Sequence, residues 1–156
     1  MRKSPINYLI SFACAAVLWV ILGIFIGDLI GESITLATLA VEEFLNLFRI
    51  ALGVITLLSL ILIFYWLYYG AKSSTAGELK TAKKKYIVLF VTELIFAIIM
   101  LVILVIMLLD EGVVGSDYAL IFLLAIVQTF ILFWVTTLFF SPKTVKYIPF
   151  LAKKIF

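Results

Sequence analysis

No histidine occurs anywhere in the sequence, which removes together the commonest metal ligand, a usual haem ligand and the usual general base near neutral pH. There is one cysteine, Cys14, so no disulfide forms within the chain, and its place in an apolar run makes it a small core side chain. No Gly-rich phosphate loop, Ser/His/Asp set or Cys-x-x-Cys pair is present. Charged residues are scarce as well, at 13% against about a quarter in a soluble domain. These gaps weigh against an enzyme, and the expectation is no catalytic residue, no metal and no cofactor. A sparse membrane enzyme acting on lipids or quinones is the one catalytic class they leave open.

What fills the space is hydrocarbon. Apolar residues make up 66% of the chain and the mean hydropathy is +1.31. The fold class expected is all-α: a polytopic four-transmembrane-helix bundle, forming a single integral membrane domain over residues 1–156. Spans are predicted at about 7–30, 48–70, 86–109 and 118–140, each long enough to cross a hydrocarbon layer ~30 Å thick, with a basic amphipathic tail at 141–156. Charge gives the orientation. Eleven of the twelve bases fall in the N-terminal segment, the second loop and the tail, and seven of the nine acids in the first and third loops. Lysine and arginine collect on the cytoplasmic side, so both termini are expected there, in a plasma (inner) membrane. The bases line a membrane edge, not a surface that follows a phosphate backbone, so nucleic acid is not an expected partner.

Met1-Arg2-Lys3 and the run from Tyr8 to Ile26 resemble a signal peptide. The run is too long for an h-region and no acceptable cleavage site follows, so it is expected to remain as the first span. Its second half carries Gly23, Gly27 and Gly31 on nearly one face, a spacing that lets two helices approach closely. Gly27, Asp28 and Gly31 also suit an exit turn, and the spacing does not say which helix is the partner. Ser33 is predicted to cap a helix that starts at Ile34 and continues into span two. At the far end of that span Tyr65, Trp66, Tyr68 and Tyr69 are expected at headgroup level. Arg49 shares a face with Asn46, Gly53 and Thr56; it either snorkels, pairing with an outer acid such as Asp28 or Asp110, or belongs to an anion-attracting vestibule.

The second loop holds a capping box, Thr75-x-x-Glu78, which places the start of the third helix about two turns below the membrane. Lys83, Lys84 and Lys85, with Lys153 and Lys154 of the tail, are predicted to meet anionic lipid headgroups, worth about 1 kcal/mol per base near the surface. Glu93 lies roughly 10 Å above that interface and costs on the order of 2.5–3.5 kcal/mol in lipid, so it must face protein or water. It is placed on a face with Ala97, Met100 and Met107. Span four presents the polar stripe Ala125, Gln128, Thr129, Leu132 and Thr136, with Thr136 and Thr137 expected at the depth of Glu93. Three uses of Glu93 stay open: a protonated hydrogen-bonding group, a partner for another subunit's cation, or a coupling residue acting with Gln128 and Thr136.

The functional expectation is a non-catalytic accessory or structural subunit of a larger membrane complex. The alternative is a small ion- or proton-coupled transporter or channel using Glu93. Expected partners are membrane lipids and either other membrane subunits or further copies of the chain.

Overall fold

The computed structural model describes residues 5–33, 41–108 and 115–149, with side chains for all of these except 32–33 and 115–117. It is all-helical, with no strand among the described residues, and four of its helices are long and apolar enough to cross a membrane. Helix α1 covers residues 5–33, with a π-helical stretch, Val20–Ile26, between Pro5–Trp19 and Gly27–Ser33. Helix α2 is Val41–Gly70 and α3 is Ala76–Leu108. Helix α4 covers residues 115–140, again with a π-helical stretch, Phe130–Val135.

Uninterrupted apolar runs become helices in a bilayer because each backbone amide must find its partner within its own segment. The ends are set by local chemistry. The start of α3 is the predicted capping box: the Thr75 amide donates to Glu78 Oε2 at 2.8 Å and the Glu78 amide to Thr75 Oγ1 at 3.3 Å. Helix α4 stops where Ser141, forced into extended backbone by Pro142, breaks the ladder. The start predicted at Ile34 lies outside the described residues; Glu42 and Glu43, at the described start of α2, are exposed.

Helix α2 is the hub. It packs on α1, α3 and α4, whereas α3 packs on α4, and α1 reaches α4 through the second half of that helix. In α2, 44% of the most apolar window is buried, against 22% in α1 and in α3, so lipid is left mainly to the two flanking helices. Consecutive helices run antiparallel. At the lysine end, Trp66 of α2 meets Tyr86 of α3 edge-on at 4.9 Å and donates to Ser141 Oγ after α4 at 2.8 Å. At the acidic end, Tyr118 OH of α4 donates to the Leu108 carbonyl of α3 at 2.8 Å.

Two apolar clusters fill the bundle. The one toward the acidic end is built on Phe44, Phe48, Leu52, Ile55, Leu101 and Ile121; the one toward the lysine end on Ile63, Trp66, Leu67, Tyr86, Leu132 and Phe133. Between them, on all three packed helices, the buried residues turn polar.

The structure departs from expectation at several places. Cys14, expected in the core, lies exposed on α1 because the buried face of that helix runs through Ser11 and Ala15. Trp66 is 0% exposed: it faces the neighbouring helices and is a core residue, unlike Tyr65 and Tyr68, which are exposed. Met107 is 55% exposed because the buried stripe of α3 runs through Glu93, Ala97, Leu101, Leu104 and Leu108, and Met107 falls off that stripe. The described part of the tail is tied to the bundle. Pro142 stops the helix, a 3-10 turn follows at Lys143–Val145, and Val145 tucks under the end of α2, where Thr144 Oγ1 donates to the Gly70 carbonyl at 2.8 Å. Thr137 meets the Tyr86 hydroxyl at 3.0 Å, which puts Thr136 and Thr137 about two turns to the lysine side of Glu93, not level with it.

Candidate functional site in the bundle interior

The polar layer between the apolar clusters consists of Thr56 and Ser59 on α2, Glu93 on α3, and Gln128 and Thr129 on α4, all buried. Within α2, Thr56 and Ser59 are the only hydroxyl side chains from Ile50 to Phe64, and the three-residue spacing puts them one above the other on the same face. Each takes one partner from a neighbouring helix. Ser59 Oγ donates to Glu93 Oε1. Gln128 Nε2 donates to Thr56 Oγ1 at 2.6 Å and to the Leu52 carbonyl at 3.1 Å, while Thr56 Oγ1 donates to that same carbonyl at 2.8 Å. Because the threonine proton is committed to Leu52, its oxygen must accept, and this fixes the glutamine with its nitrogen toward α2.

Three oxygens are left over. Glu93 Oε2, Gln128 Oε1 and Thr129 Oγ1 are buried and none has a hydrogen-bond partner. They occupy one layer. Phe133 of α4 packs on Tyr86 and Phe90 of α3 at 5.5 and 5.8 Å between ring centroids. One helical turn further along both helices, Thr129 therefore faces Glu93. Gln128 and Glu93 are in turn tied to α2 residues one turn apart. A buried polar group without a partner costs about 1–3 kcal/mol, so three in one layer mark a place where apolar packing has been given up.

The remaining candidate residues lie elsewhere. Thr136 is buried but borders a separate groove of about 230 Å³ between α1 and α4, with Cys14, Val17 and Ile21 on one wall and Ile131 and Val135 on the other. Arg49 sits at the acidic end, where Nη2 donates to Asp28 Oδ1 at 2.5 Å and Nε to the Gly23 carbonyl at 3.2 Å; Trp19 Nε1 donates in return to the Arg49 carbonyl at 3.2 Å. The arginine thus ties α2 to the π-helical stretch of α1. Gly27 and Gly31 face the same partner: a Cβ built on Gly27 meets Phe48 at 3.5 Å, and one on Gly31 meets Leu45 at 3.1 Å. Lys83 and Lys84 are exposed, whereas Lys85 Nζ lies 3.9 Å over the Tyr69 ring. Lys153, Lys154 and Asp110 lie outside the described residues.

In the sequence Glu93 and Gln128 stand out while Ser59 does not, and Thr56 falls on the face of Arg49. The available signal was that these two residues are the only hydroxyls in an otherwise apolar stretch. No protein-family model, curated protein or solved structure matches this chain.

Proposed function

We propose that the chain is a non-catalytic accessory subunit that seats in a larger membrane assembly through the exposed face of α1. The supporting observation is the kind of residue left facing outward. Helix α3 exposes large side chains such as Ile87, Ile95, Ile99 and Ile106, and α2 exposes Leu57 and Ile61. Helix α1 also exposes large side chains, among them Leu9, Phe12, Phe25 and Leu29, but between Phe12 and Val17 it presents Ala13, Cys14 and Ala16, small residues that let another helix approach closely where lipid offers no hydrophobic driving force. The 230 Å³ groove against α4 continues this face. The occupant is taken to be a transmembrane helix of a different subunit.

The membrane is proposed to be the plasma (inner) membrane, with both termini and the Lys83 end of α3 on the cytoplasmic side. The charge partition supports this orientation, and the exposed Lys83 and Lys84 suit anionic headgroups. Native isolation in mild detergent, followed by identification of what travels with the chain, tests the reading. Co-purification should be lost in Ala16→Trp while the bundle stays folded. A wild-type chain that purifies alone, with the same size as Ala16→Trp, overturns it, and a spontaneous Cys14–Cys14 cross-link redirects it to a second copy of the chain.

A second reading, a small ion- or proton-coupled transporter, is favoured by the buried Glu93 with its unpartnered oxygen. Reconstituted vesicles decide it. Coupled flux should vanish in Glu93→Gln, and unchanged flux removes the residue from any transport step.

A further inference from the structure

We infer that Glu93 Oε2, Gln128 Oε1 and Thr129 Oγ1 form an internal binding site for one alkali cation, enclosed by α2, α3 and α4. The inference shares its residues with the second reading above but concerns equilibrium occupancy, and it holds whether or not the ion crosses the membrane.

Charge comes first. Ionised Glu93 needs a counter-charge in the bundle, and Arg49, the one base within the apolar runs of the described spans, is held at the acidic end by Asp28 and the Gly23 carbonyl. The groups packed around the carboxylate do not titrate: α2 presents Thr56 and Ser59, and α4 presents Gln128 and Thr129. On α3 the nearest titratable side chain is Tyr86, two turns away and bonded to Thr137. Among the described residues, no protein cation completes the layer.

Donor chemistry comes second. The three free atoms are all oxygens, the ligands that hard cations select. Gln128 is held with its oxygen free because both amide hydrogens go to α2. None of the three hydrogen-bonds another, so a proton on Glu93 does not link them. A water molecule could donate to Glu93 and Gln128 and accept from the Thr129 hydroxyl, but it brings no positive charge and leaves the carboxylate uncompensated. A single alkali ion supplies the missing positive charge and is a group that carboxylate, amide and hydroxyl oxygens can share without bonding one another. The π-helical stretch begins immediately after Thr129, and wide turns of this kind occur frequently at functional sites.

The test uses the full chain purified in detergent at constant ionic strength, with Na⁺, K⁺ or Li⁺ chloride titrated against N-methylglucamine chloride, at several pH values. The wild type should show a saturable rise in unfolding temperature with at least one alkali ion and none with the organic cation. Glu93→Gln should lose the rise. Thr129→Val, which keeps shape and removes one ligand, should need about tenfold more ion for the same shift, and it carries the test if Glu93→Gln does not fold. An unfolding temperature that follows pH alone, indifferent to the alkali ion, reduces Glu93 to a protonated hydrogen-bonding group and overturns the site. So does an ion response that survives in both variants. Either result leaves the accessory-subunit reading untouched, since that rests on the outer face of α1.

Discussion

At the residue scale the bundle is decided by a few polar contacts and one glycine. Thr56→Val keeps the branched shape but removes the oxygen that accepts from Gln128 Nε2. Interhelical hydrogen bonds inside membranes average about 0.6 kcal/mol, with a maximum near 1.7, so the variant is predicted to lose stability within that range on unfolding in mixed micelles; a loss well above it means Gln128 supports more than α2. Gly70 makes the opposite kind of demand. A Cβ there lies 2.6 Å from Val145 Cγ2, so Gly70→Ala must push the turn at Lys143–Val145 away from α2, at the 1–3 kcal/mol typical of overpacking. Restored stability in Gly70→Ala combined with Val145→Ala is the expected signature, and no rescue argues against this contact. The role of Gly70 was not legible from sequence. Glu93 and Gln128 stand out as polar letters in apolar text, but Gly70 reads simply as a helix end, and only the fold brings Val145 under it.

At the element scale the four helices were legible because a bilayer leaves an apolar run few other options. Their partners were not. The glycine row on α1 is compatible with any helix, and it is Arg49, reaching back to the Gly23 carbonyl, and Phe48, lying on Gly27, that show the partner to be α2. The same geometry ranks the glycines. A Cβ on Gly23 finds its nearest neighbour at 3.6 Å, ordinary contact, while on Gly31 it meets both methyls of Leu45 at 3.1 Å and Val41 at 3.2 Å. Gly23→Ala should therefore keep most of the gain of about 1 kcal/mol in helix propensity, and Gly31→Ala should lose it to crowding. Measured stabilities in the reverse order rule out this packing of α1 on α2. Helix α3 offers a third check. Its cap is reciprocal between Thr75 and Glu78, so Thr75→Ala should cost roughly 0.5–2 kcal/mol and speed amide exchange from residue 76 to about 79, while leaving the Glu93 layer protected.

At the scale of the whole molecule, burial and charge describe different things. Burial explains why the helices cluster around α2. It does not say which end faces which compartment, because turning the bundle over changes no internal contact. That choice rests on the lysines: Lys80, Lys83 and Lys84 are exposed at the start of α3, and moving such residues across a membrane is opposed far more strongly than moving acids. Orientation is thus a property of the sequence that the packed bundle cannot reveal, the reverse of Gly70. The corresponding prediction uses a Cys14→Ser background with Lys84→Cys in one protein and Gly112→Cys in another. A membrane-impermeant maleimide should label the second in intact cells, and the first only after the membrane is opened. Labelling of both from the same side contradicts an odd number of crossings between the two positions, and with it the reading of α3 as a span. Labelling of Lys84→Cys alone keeps the span and inverts the protein, which would place the exposed lysines away from the anionic leaflet they are proposed to hold.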